Sequence, residues 1–106
     1  MENYKFSGEV LITTDLLEDL SEEVINYILS LVHDLISNKT IEVDYLQAFD
    51  LKPLNESAKK ILSITHIQEE PPYIKTHRVE TDINITGRVF VIDNIDYVNM
   101  LWASTY

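Results

Sequence analysis

The chain of 106 residues contains no cysteine. That removes disulfides, thiolate metal ligands and cysteine nucleophiles together, and it argues against a small stapled secreted scaffold. Two glycines and three prolines leave almost nothing from which to build a phosphate-cradling loop or a flexible linker. No serine sits in a G-x-S-x-G elbow. No apolar run approaches the roughly 20 residues that span a bilayer, and Met1 to Lys5 lack the basic region and apolar run of a leader. The cytoplasm is therefore the expected compartment. Basic residues are also scarce, 8 against 18 acids, for a formal charge of -10. Such a field repels phosphate backbones and anionic lipid, so direct binding to nucleic acid or a membrane is not expected.

What is present describes a globular domain. Hydrophobic residues make up 45% of the chain and charged residues 25%, which is far from the composition of disorder. Two domains would each be too small to stabilise a core, so residues 1 to 106 are expected to form a single domain. The charge is uneven: residues 1 to 53 hold a net of -8, and residues 54 to 106 a net of -2.

Glu9 to Thr14 is short, β-branched and bounded by Gly8 and Asp15, which predicts a strand. The clearest helix is Ser21 to Asn38. Ser21 is its expected N-cap, and Glu22 and Glu23 stand where the helix dipole favours acids. Ile25, Ile28, Leu29, Val32, Leu35 and Ile36 then form one apolar stripe, and Asn38 is the expected left-handed terminator. Period two follows. Tyr45, Gln47, Phe49 and Leu51 share one face, and Pro53 with Asn55 predicts a turn. Lys60 to Glu69 reads as a strand with Leu62, Ile64 and His66 opposed to Ile61, Ser63, Thr65 and Ile67, either side of which suits a core. Pro71 and Pro72 break the ladder. Tyr73 to Glu80 and Arg88 to Asp93 are further strands, Asp93 to Asp96 a turn, and Tyr97 to Tyr106 a returning strand. The expected class is α+β: an antiparallel sheet of about five to six strands, with one main amphipathic helix packed on one face.

Candidates for chemistry are few. His33 flanks the helix stripe and reads as a surface residue. His66 and His77 lie on neighbouring strands, and with Glu69 or Glu70 they would be the ligands of a metal-assisted hydrolase, although their spacing matches no strong zinc pattern. Glu69 with Glu70, and Asp93 with Asp96, are the available acid pairs, and acids at turns commonly cap them. No catalytic residue, metal site or cofactor is assigned, and an enzyme is not expected. The remaining feature is the acid run Asp15, Glu18, Asp19, Glu22 and Glu23. It reads either as a solvated loop and helix start or as a patch that binds a basic partner.

The blocks D-Y-L-Q-A-F-D-L from Asp44, I-T-H-I-Q-E-E-P-P-Y-I-K from Ile64, V-F-V-I-D from Val89 and M-L-W-A from Met100 resemble domain-of-unknown-function family 960 of Firmicutes. The sequence departs from that pattern at Asn94 to Asp96, where a more glycine-like turn is usual, and at Trp102, where an aliphatic residue is. The resemblance implies a small α+β cytoplasmic protein of Gram-positive bacteria and their mobile elements, with no catalytic residues to carry over. Together with the charge, it leads to an expected function: a non-catalytic acidic inhibitor of a basic nucleic-acid-handling protein, in its most specific form an anti-CRISPR inhibitor of an RNA-guided nuclease. The alternative is a housekeeping interaction module that pairs with a second copy of itself.

Overall fold

The computed structural model describes residues 3–56 and 58–106, except the side chain of Glu56. Met1 and Glu2, where the leader reading begins, lie outside them. Leu20 and Ser21, both extended, separate helix α1 (Thr14–Asp19) from helix α2 (Glu22–Asn38). Ser21 Oγ accepts a hydrogen bond from the Val24 N–H at 3.2 Å, satisfying one of the donors that a helix start leaves bare. Val24, Ile25, Ile28, Leu31, Val32 and Leu35 are buried, with Leu29 and Ile36 partly buried against the same core. The expected stripe is present and is broadened by Val24 and Leu31. The terminator shifts by one position: Asn38 is still helical, and Lys39 takes the left-handed conformation at φ 56°.

The acid run before α2 is not a loop. It is carried largely by α1, which buries Leu16 and delivers Leu20 into the core one turn later. A six-residue helix with one buried anchor, Leu16, is too short to display a period, so sequence alone reads it as irregular.

Six strands form one sheet: β1 (Glu9–Ile12), β2 (Leu46–Glu56), β3 (Lys59–Gln68), β4 (Tyr73–Glu80), β5 (Gly87–Asp93) and β6 (Tyr97–Trp102), in the order β1-β6-β5-β2-β3-β4. The fold is α+β, as expected, and the sheet is mostly antiparallel. Its one parallel pair is β1 with β6, where Val10 stands opposite Val98. Pro53 and Asn55 do not turn the chain, because β2 runs on to Glu56 with Pro53 opposite Leu62. On the other side of β2 the last partner is Gly87, opposite Leu51. Pro53 therefore sits where β2 has become an edge, and its missing N–H breaks no ladder. β6 ends at Trp102 and is followed by a single 3-10 turn, Ala103–Thr105, so the last residues are only partly strand.

Phe49, Leu62, Ile64, Val89, Val91 and Met100 are fully buried on the sheet face that packs against α2. That settles the two-sided pattern of β3 in favour of Leu62, Ile64 and His66 as the inward set.

The end of β5 is fastened by the buried carboxylate of Asp93. Its Oδ2 accepts from the Phe6 N–H at 2.9 Å and its Oδ1 from the Ile95 N–H at 2.8 Å. Phe6 and Ile95 have φ of 50° and 74°, a region that side chains of this bulk rarely occupy. Ile95 supplies the conformation for which a glycine would be usual at this turn. Gly8 lies beside the same junction, where an added Cβ would come within 2.7 Å of the Asp96 carbonyl oxygen. Asp93 and Asp96 are thus no acid/base pair: one holds backbone donors, and the other is exposed. Asp93→Ala is expected to lower the unfolding free energy by about 3 kcal/mol, since a buried N–H loses a charged acceptor and the strained turn loses its tether. Urea denaturation measures this, and a loss below about 1 kcal/mol would contradict the fastening role.

Candidate functional site

Asp15, Glu18 and Asp19 fall at i, i+3 and i+4 of α1 and therefore share one side of it. Glu22 and Glu23 open α2 immediately after Ser21. All five side chains are exposed, within the nine residues 15 to 23. The buried anchors Leu16, Leu20, Val24 and Ile25 hold the segment that presents them. Asp15 Oδ1 accepts from the Leu16 N–H at 2.9 Å. Asp19 has a structural duty as well: its Oδ2 accepts from the Trp102 indole N–H at 2.9 Å, tying α1 to the last residue of β6. Gly87 makes room for that indole, because a Cβ there would come within 2.9 Å of the Trp102 ring. Sequence reasoning missed this contact. Its one visible signal is the tryptophan standing where an aliphatic residue is usual.

A second polar cluster is buried at the other end of the sheet. Gln68 Nε2 donates to the Glu42 and Pro71 carbonyls, each at 2.9 Å. Gln68 Oε1 accepts from the Asp44 N–H at 2.8 Å and from Gln47 Nε2 at 2.7 Å. Gln47 Nε2 gives its other proton to the Asp44 carbonyl at 3.0 Å. Gln47 Oε1 then has only lone pairs to offer His66 Nε2, 2.7 Å away, so the imidazole must be the donor and carries its proton on Nε2. The ring stacks on Phe49 at 4.4 Å and meets Tyr73 edge-on at 5.1 Å. Burial, with a smaller contribution from His77, pushes the His66 pKa from 6.5 down to about 4.

His77 shares the inner face with His66, whose direct cross-strand partner is Lys75. The two histidines on these neighbouring strands are therefore diagonal, not directly opposed, across the hairpin. Glu69 and Glu70 are exposed in the turn. Among the described residues no three His, Asp or Glu side chains converge as metal ligands would. His77 Nε2 is buried without a hydrogen-bond partner among those residues, and its ring stands edge-on to Tyr27. Burial and then Lys75 push His77 below its ordinary range, while Asp34 opposes them. A cleft of about 240 Å³ between α2 and β4 is lined by Asp34, Asn38, Tyr73, Lys75 and His77. A larger hollow of about 570 Å³, bounded by Tyr4, Ile36, Ile41 and Val43, is mainly apolar. His33 is exposed on α2, as its place beside the stripe predicts.

The family described as "Staphylococcal protein of unknown function (DUF960)" matches residues 11–105, and the chain belongs to that family. Its fold is shared with a crystal structure described as "the protein of unknown function from Enterococcus faecalis". That likeness has a TM-score of 0.68 and 19% identity, over 100% of this chain and 97% of the other. No curated protein matches the chain. Among the described residues no helix is long and apolar enough to cross a membrane.

The depressed pKa of His66 links stability to pH. An unfolded histidine takes up its proton near pH 6.5, whereas the folded one resists until about pH 4. The unfolded state therefore binds more protons throughout that window. The stabilisation due to the neutral ring is complete above pH 6.5 and is lost as pH falls towards 4, by on the order of 3 kcal/mol. His66→Gln keeps a donor for Gln47 but cannot titrate. Chemical denaturation of both proteins between pH 7 and 4 should show the wild type losing more stability than the variant, and parallel profiles would contradict the buried neutral imidazole.

Proposed function

We propose that this member of the family is a non-catalytic cytoplasmic binding protein whose acidic helical segment engages a basic surface on another protein. The observation that carries this reading is the exposure of Asp15, Glu18, Asp19, Glu22 and Glu23 along nine consecutive residues whose apolar sides are anchored in the core. Anchored carboxylates lose little conformational freedom on binding. Side chains one helical turn apart are separated by about 5–6 Å at Cβ, so they present negative charge as a fixed array rather than a diffuse cloud. An array of that kind suits a groove lined by arginine and lysine, with fast association that weakens as salt rises.

The finer reading is inhibition of a nucleic-acid-handling protein, and most specifically an anti-CRISPR action against an RNA-guided nuclease. The channels of such nucleases are positively charged and hold nucleic acid through its backbone rather than its sequence. A protein polyanion competes for that surface without needing base chemistry. The net charge of -10 supports this reading, as does its concentration in residues 1 to 53.

The test is capture of partners from a Gram-positive lysate at low and high salt, using the wild type and a variant with Asp15→Asn, Glu18→Gln, Glu22→Gln and Glu23→Gln. Asp19 is kept because it holds Trp102. The variant is expected to lose roughly tenfold or more in affinity for a basic partner, and the wild type to release that partner at high salt. Undiminished capture by the variant overturns the proposed surface. A captured nuclease that cleaves normally in the complex overturns the inhibitory reading alone.

A further inference from the structure

We infer that the sheet face turned away from the helices is where two copies of this chain associate, sheet against sheet. Both helices and the indole of Trp102 lie on the inner side. The outer side carries a continuous apolar row across five strands, because Leu101 pairs with Phe90, Phe90 with Ala48, Ala48 with Ile67, and Ile67 with Ile74. Beside it, Leu46 pairs with Ile92, although Ile92 and the row's Ala48 are buried by their neighbours, at 3% and 7% exposure. Ile74 is 71% exposed at the end of the row. Near its other end, the ring of Tyr106 packs edge-on against Phe90 at 5.5 Å. An aliphatic and aromatic row of this kind, in direct cross-strand register, is the surface that face-to-face sheets interdigitate.

Charge selects the occupant. Among the described residues the side chains that alternate outward bring Lys52, Lys59, Arg78 and Arg88 against Glu9, Asp50 and Glu80, and Arg88 already grips Asp50 through two hydrogen bonds of 2.6 and 3.0 Å. The face is near neutrality on a chain of charge -10. Two such chains repel in most orientations. If they meet on this face, their acidic helices are held on opposite outer sides of the pair, as far apart as the molecule allows. A two-fold axis through the row makes the same patch serve both copies. A face five strands wide and some six residues long covers on the order of 500 Å² in projection. Side-chain relief raises that towards the roughly 800 Å² per partner of a standard stable interface.

Sedimentation velocity of the full chain across low to high micromolar concentration tests this. Dimer is expected to grow with concentration and, because two anions are brought together, to strengthen with added salt. Binding of a basic partner has the opposite salt dependence, so failure of one reading is distinguishable from failure of the other. Ile67→Lys and Ile74→Lys are each expected to weaken the dimer by roughly 30-fold or more, with circular dichroism and thermal unfolding of the monomer unchanged. Should Ile67→Lys fail to fold, the exposed Ile74 decides. A strict monomer at every concentration and salt overturns the inference. So does a dimer indifferent to Ile74→Lys, which pairing along the outer edge of β4 would give.

Discussion

A single 17-residue helix has to close one side of a six-stranded sheet, and most of the structure follows from that constraint. At about 1.5 Å per residue the helix is roughly 25 Å long but only about 10 Å wide, whereas six strands spaced about 4.8 Å apart span roughly 24 Å. It runs beside β4, with Tyr27 against His77 and Asp34 and Asn38 next to Tyr73 and Lys75, and cannot cover the whole face. The flanks are filled by Leu16 of the short helix and Leu20 just beyond it, by Phe6 from the amino-terminal segment, and by Ile83 and Ile85 from the connection before β5. Both helices and these segments are drawn to the inner side for this purpose. The sheet is consequently two-faced, and the acids of the helical segment stand on the surface opposite the outer β face.

The polar cluster of Gln47, His66 and Gln68 belongs to the same account. These side chains occupy inward positions at the end of β2 and β3, where apolar residues would normally sit. Their partners are the backbone groups of Glu42, Asp44 and Pro71. Loops that enter a core bring donors and acceptors that water no longer reaches, and two glutamine amides answer four of them. The imidazole terminates the chain of donors as a neutral group, and burial, more than the neighbouring His77, makes it resist protonation. The arrangement is costly to disturb because each member's orientation is set by its neighbours.

Much of this was legible in the sequence, for reasons that differ by element. The Ser21 cap, the acids of the first turn and a stripe of apolar residues over several turns are redundant signals, so α2 could be read almost to its ends. The strands Tyr73–Glu80 and Gly87–Asp93 announced themselves by β-branched alternation between breakers. Pro53 misled because a proline's effect depends on which neighbour its nitrogen faces, a fact of sheet order rather than of local sequence. The helix Thr14–Asp19 was hidden by brevity. At the candidate site, the acids were visible as a charge run. The division between Asp19, bound to an indole 83 residues away in sequence, and its four companions was not, since no local pattern encodes so distant a contact. The parallel pairing of β1 with β6 was invisible for the same reason.

That pairing has a consequence for how the protein comes into being. The segment Glu9–Ile12 is made well before its hydrogen-bonding neighbour Tyr97–Trp102, with which it pairs from Glu9 opposite Tyr97 to Ile12 opposite Met100. Synthesis proceeds at about 5–20 residues per second, so the nascent chain spends several seconds with a β-prone tetrapeptide and the leucines behind it lacking their final place. β2, β3 and β4 can pair in turn as they emerge, whereas β5 has to return to β2 before β6 can add to it. β1 can take its place in the sheet only once β6 has been made.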